Sequence, residues 1–176
     1  MSVKIRCIYI DGINETERTF VTKEIRKFLK EKEKDLHEIN GISDNKLELQ
    51  NILLQDNPNS LILKENSVLS LCNSCIKEGK GILSLEKTLN EILRKERDIN
   101  QKYGSVHFFL LPEEPKRSDA EPSFLNLQTR CTFFKNINSY SLAQGLNIEI
   151  VQFNEDDKIY DIRDKMLEIL EKKYKI

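Results

Sequence analysis

The side chains of this chain best suited by type to do chemistry are acids that end apolar runs. Asp11 follows Ile8-Tyr9-Ile10, Glu113 and Glu114 follow the run 106–111, and Glu155, Asp156 and Asp157 follow the run 148–153. If those runs are parallel strands, their carboxyl ends share one rim, where open α/β sheets bind their ligands. Carboxylates gathered on that rim are hard oxygen donors suited to Mg²⁺, and with it to phosphoryl or phosphodiester chemistry. Asp11, Glu114 and Asp156 are therefore the candidate metal ligands. The same residues also have plain structural uses. Asp11-Gly12 makes a turn, and the acids at 155–157 stand where a helix start favours negative charge.

Anion binding is the second chemistry on offer. Lys116 and Arg117 lie among Pro112, Pro115 and Pro122, in a polar stretch that reads as an exposed loop, and Arg130 and Lys135 follow on a helical period. These four cations together could meet a phosphate. Arg94, Lys95 and Arg97 instead interleave with Glu91, Glu96 and Asp98, the pattern of a solvated helix face.

Cys72-Asn-Ser-Cys75 is half of a zinc site without a second pair, since Cys7 and Cys131 stand alone. As a redox pair it would have to open a helix directly after a strand, and as packing it needs nothing further. The two histidines are His37, expected on a charged and solvated helix, and His107, expected as a core residue inside the most apolar run. There is no G-x-x-x-x-G-K-[ST], and Gly79-Lys80-Gly81 is too short to wrap a phosphate. G-x-G-x-x-G, H-E-x-x-H and G-x-S-x-G are missing as well.

The elements that must position these groups follow from hydrophobic period. Residues 3–10 read as a strand ended by Asp11-Gly12. Asn14 and Glu17 resemble a capping box that opens a helix, whose stripe of Val21, Ile25, Phe28, Leu29, Leu36 and Ile39 runs to a stop at Asn40-Gly41. Residues 44–83 suit a helix at 44–55 and at least one strand within 60–72. A helix capped by Ser84 continues through Leu89, Ile92 and Ile99 to Tyr103-Gly104. The run 106–111 is apolar on both faces, as in a central parallel strand. Phe124, Leu127, Cys131, Phe134 and Ile137 mark a helix, 148–153 a strand, and 156–174 a closing helix with lysines at its end. Strands separated by helices imply an α/β fold: a three-layer, Rossmann-like single domain over 1–176, with a short, mainly parallel sheet of three to five strands flanked by helices.

From Leu110-Leu111-Pro112 through a basic helix to Ile150-Val151-Gln152-Phe153 and a closing helix, the order of elements resembles the MID domain of Argonaute proteins. That family grips a nucleic-acid 5′-phosphate with a Tyr, Lys and Gln set. Here Phe124 or Asn126 stands for the tyrosine and Arg130 for the lysine, while Gln152 fits. The resemblance implies a nucleic-acid-end site.

Charged residues make up 32% of the chain and apolar residues 39%, with a formal net charge of −1, so no basic excess points to bulk nucleic-acid binding. No run reaches the length of a membrane span, residues 1–10 lack the pattern of a secretory signal, and four cysteines make no disulfide framework. The expectation is a soluble cytoplasmic protein without membrane contact. The leading functional expectation is a non-catalytic interaction module, a subunit or adaptor of a larger intracellular assembly with a protein partner. Two alternatives stand beside it. One is a domain binding a phosphate, nucleotide or nucleic-acid end through Lys116, Arg117, Arg130 and Lys135. The other is a Mg²⁺-dependent hydrolase or nuclease built on the strand-end carboxylates, Mg²⁺ being the only cofactor in view.

Overall fold

A computed structural model of the chain describes residues 4–12, 15–40, 60–65, 94, 97–112, 145–154 and 156–176. Within these, β1 (Cys7–Gly12), β2 (Asp35–Asn40), β3 (Ser60–Glu65), β4 (Ser105–Pro112) and β5 (Ile148–Phe153) form one sheet in the order β2-β3-β1-β4-β5. Every pairing is parallel. β1, β4 and β5 thus lie side by side with a shared carboxyl rim, as the apolar runs implied. β1 and β4 are buried on both faces, which is why their sequences run apolar instead of alternating.

Strand parity divides the core. Ile8, Ile10, Leu61, Leu63, Val106, Phe108 and Leu110 face α1 (Glu15–Glu31) and the C-terminal helix Ile159–Lys172, which contribute Val21, Ile25 and Leu29, and Ile162, Met166 and Leu170. Each such fully buried aliphatic or aromatic side chain is worth about 1.5–3 kcal/mol of transfer free energy. On the opposite face Cys7, Tyr9 and Ile62 meet Ile99 and Tyr103, which belong to a helical segment at 97–103. That segment is α2 and the C-terminal helix is α3. The result is an α/β sandwich of helix, sheet and helix.

The segment 35–40 corrects the sequence reading, which carried the first helix on through Leu36 and Ile39. α1 ends at Glu31, and Glu33 adopts φ 55°. Lys34 N–H bonds to Leu29 O at 3.1 Å and Glu33 N–H to Lys30 O at 3.0 Å, the paired closure of a Schellman motif. A glycine usually holds that left-handed position, so the stop left no mark in the sequence. His37 consequently sits on edge strand β2, 3.4 Å from Asp35 Oδ2, and not on a helix. The strand expected within 60–72 is β3, and the helix expected to close at Tyr103-Gly104 is present over its described end. The helices expected at 44–55 and 124–137 lie outside the described residues. α3 begins at Ile159, where Lys158 N–H bonds to Asp161 Oδ2 at 2.8 Å.

The amino ends of β4 and β5 are tied by one side chain, and that of β1 by the Gly104 backbone. Asn100 Oδ1 accepts from Ser105 N–H (3.0 Å), Ser105 Oγ (3.1 Å) and Asn147 Nδ2 (3.2 Å), while its own Nδ2 donates to Gly145 O (3.1 Å). Gly104, at φ 77°, accepts from Arg6 and Cys7 N–H, and a Cβ there would lie 1.9 Å from Lys4 O. No helix among the described residues is long and apolar enough to cross a membrane.

Candidate functional site

The connections from β1 and β3 leave in opposite directions. β1 leads outward to edge strand β2, and β3 leads back across to β4. Their carboxyl ends therefore flank a topological switch point, where open α/β sheets form their ligand crevice. Parity sets which side chains reach it. Glu65 pairs with Ile10, so Glu65, Ile10 and Gly12 share the α1 face. Gly12 is closely packed: a Cβ there would meet Leu110 Cβ at 3.0 Å. α1 starts three residues later, and its N-terminal turns bring Arg18 and Thr19 over the same corner.

Four groups converge there. Arg18 Nη1 donates to Gly12 O at 2.9 Å, Arg18 Nε lies 3.4 Å from Glu65 Oε1, and Thr19 Oγ1 donates to the same Glu65 oxygen at 3.0 Å. The Arg18 and Glu65 side chains are only 11% and 18% exposed, so their attraction is less screened than that of a surface pair. A guanidinium has five N–H donors in a fixed fork. Among the described residues two are used here, Nε–H and one N–H of Nη1, which leaves the Nη2 N–H groups for an anion.

This corner was not singled out from the sequence, although a signal was there. Gly12, Glu17, Arg18 and Thr19 fall at the spacing of G-x-x-x-x-G-K-[ST], with only the first glycine and the final hydroxyl kept. In such loops the lysine reaches the phosphates, and the hydroxyl with an acid on a neighbouring strand holds Mg²⁺. Glu65 has that place relative to Thr19. Glu17 puts a carboxylate where the loop has glycine, with Oε2 buried and without a hydrogen-bond partner among the described residues.

The expected site residues fare differently. Asp11 is buried and engaged, but parity turns it to the face opposite Arg18, level with Phe109 and Ile150. Asp156 is exposed beyond β5, in a turn where Asn154 Oδ1 accepts from its N–H at 3.0 Å. The two carboxylates thus stand two strands apart and at different levels of the rim. Glu114, Lys116, Arg117, Arg130 and Lys135 lie outside the described residues, as do Cys72, Cys75 and the stretch 79–81. Among the described residues no group of three or more His, Cys, Asp or Glu side chains could hold a metal.

His107 is buried as expected, with its ring stacked on Tyr9 at 4.4 Å between centroids. Desolvation, helped by the charge on Lys64, lowers its pKa to about 3. It is a neutral core residue on the face away from Arg18.

No protein-family model and no curated protein sequence matches the chain. Solved structures do. A thymidylate kinase from Ehrlichia chaffeensis superposes with a TM-score of 0.53 at 10% identity, covering 94% of this chain and 98% of its own. A de novo designed protein of the P-loop NTPase fold gives 0.50 at 13% identity, covering 96% and 91%. A Pseudomonas aeruginosa PA01 protein assigned as polyphosphate kinase 2 gives 0.59 at 14% identity, covering 99% of this chain and 40% of its own. At these identities the likeness is one of fold, and the fold is an α/β, P-loop NTPase-like one.

Proposed function

We propose that the corner formed by Gly12, Arg18, Thr19 and Glu65 binds the phosphate of a nucleotide or another phosphorylated ligand. The observation that carries this reading is the position of Arg18. Its guanidinium is fixed between the end of β1 and the end of β3, at the start of a helix, with its Nη2 N–H groups uncommitted among the described residues. A helix start contributes partial positive charge, and an arginine fork matches two phosphate oxygens. The neighbouring folds support the reading, since two of the three are described as kinases and the third as a P-loop NTPase design. The neighbouring folds and the spacing of Gly12, Arg18, Thr19 and Glu65 favour phosphate binding over the adaptor as the leading reading. The four cations at 116, 117, 130 and 135 remain proposed contributors.

The departures from a standard loop carry weight of their own. Glu17 opposes an anion and adds a side chain where backbone approach is wanted, so the loop amides contribute less than in a glycine-bearing loop. Arg18 then carries most of the recognition. Thr19 Oγ1 and Glu65 are hard donors of the type Mg²⁺ takes, but Glu65 Oε1 already serves Arg18. A cation about 2.1 Å from that oxygen would sit within about 5.5 Å of Arg18 Nε. At an effective dielectric near 20, a double charge meeting the guanidinium at that range costs about 6 kcal/mol before any attraction is counted. That repulsion, and the two protons that Glu65 Oε1 already accepts, disfavour the ion at this corner while Arg18 keeps its contacts.

Calorimetric titration with pyrophosphate and with ADP tests the reading. Wild type should bind at least one of them, and Arg18→Ala should weaken binding by about tenfold or more, the worth of one charge-assisted contact. Glu17→Gly should tighten it. Silence from wild type with both ligands would refute the reading.

A further inference from the structure

We infer that Arg18 stands in for the divalent cation at the β1–β3 corner, so that the site holds its phosphate without metal. The inference rests on the phosphate reading and gives it a chemical form: the ligand is a metal-free phosphate or diphosphate anion.

Three contacts carry it. Glu65 Oε1 receives Arg18 Nε at 3.4 Å and Thr19 Oγ1 at 3.0 Å, so this carboxylate oxygen already faces one charge and one hydroxyl proton. Arg18 Nη1 is held by Gly12 O at 2.9 Å, which fixes the plane of the guanidinium. An ammonium is a point charge that can turn aside and share a carboxylate with a metal ion. A planar guanidinium held at Nε by Glu65 and at Nη1 by Gly12 cannot turn without losing both contacts. The positive charge that a bound metal brings to a phosphate is supplied here by the protein chain. The surroundings agree in type: Glu17 and Glu65 are the acids placed at this corner, Arg18 is the cation placed between the strand ends, and no described group of acids gathers beside them to form a metal cage.

The test uses the full chain and two probes, pyrophosphate followed by calorimetry in EDTA and in excess Mg²⁺, and Mn²⁺ alone followed by its paramagnetic resonance signal. The inference expects wild type to bind pyrophosphate in EDTA, with Mg²⁺ changing the affinity less than about tenfold. It expects no Mn²⁺ uptake by wild type. Arg18→Ala should lose pyrophosphate binding in EDTA and gain Mn²⁺ uptake through Glu65 and Thr19. Arg18→Gln, which keeps most of the side-chain bulk, should behave the same way and guards against a folding defect in the alanine variant. If wild type binds pyrophosphate only with Mg²⁺, or takes up Mn²⁺ at this corner, the inference is overturned and the phosphate site survives. If wild type binds pyrophosphate under neither condition, the phosphate reading falls and the inference falls with it.

Discussion

At the amino ends of β1, β4 and β5 the fold is closed by short, neutral groups, whereas at the carboxyl ends of β1 and β3 it is closed by long, charged ones. Asn100 spends both halves of its amide on Ser105, Asn147 and Gly145, and Gly104 fits its backbone against Lys4 with no room for a methyl group. Across the sheet, Arg18, Glu65 and Thr19 satisfy one another through flexible side chains, and Glu17 keeps a buried oxygen without a partner among the described residues. A rim built to hold strands together uses groups that cannot move apart. The carboxyl rim, on the proposed reading, keeps N–H donors of Arg18 for an anion. The first should answer to mutation in stability, the second in binding.

The strongest way to break that contrast is Gly104→Ala. The φ of 77° and the 1.9 Å approach to Lys4 O leave no relaxed position for a Cβ, so the variant should lose about 3 kcal/mol or more in urea unfolding. A loss under about 1 kcal/mol would show that this rim yields more easily than described.

Acid titration separates the core from both rims. His107 has its pKa lowered to about 3 by desolvation and by Lys64. Its unfolded value is near 6.5, so below that pH the unfolded chain takes up a proton that the folded one refuses. Stability attributable to His107 is full above about pH 6.5 and falls by about 1.4 kcal/mol per unit as pH drops toward 3. His107→Phe, which keeps a ring against Tyr9, should flatten that part of the pH–stability curve relative to wild type. Parallel curves would place the acid sensitivity elsewhere.

Asn100→Leu should cost about 1–3 kcal/mol, because it strands Ser105 N–H, although Asn147 Nδ2 keeps its bond to Ser105 O. The smallest stability effect belongs to the carboxyl rim. Glu65→Gln keeps the Thr19 contact and should cost less than about 1 kcal/mol in unfolding, while freeing Arg18 for an anion. Equal losses from Asn100→Leu and Glu65→Gln would erase the distinction between the rims.

Much of the scaffold was legible in the sequence because burial writes a clear pattern. β4 is apolar on both faces, and α3 carries Ile162, Met166 and Leu170 on one stripe with lysines at its end. β2 was hidden because Leu36 and Ile39 extend the helical period of Val21 and Ile25, and because Glu33 ends α1 in a conformation that glycine usually announces. The acids at the strand ends were visible, but whether a strand-end residue faces α1 or the opposite layer turns on a single step of register. That step sends Asp11 away from Arg18 and brings Glu65 to it. The corner itself escaped notice because Glu17 and Arg18 stand where G-x-x-x-x-G-K-[ST] would have glycine and lysine. What remained, Gly12 and Thr19, means little until Glu65 is placed beside it.

Titrating pyrophosphate into ¹⁵N-labelled protein and following Gly12 and Thr19 N–H together with Arg18 Nε–H tests the account most directly. The account predicts that these three signals move together and saturate, while Ser105 N–H and the Asn100 side chain stay in place. Shifts confined to the Asn100 rim, or an unchanged Arg18 signal at saturating ligand, would contradict it.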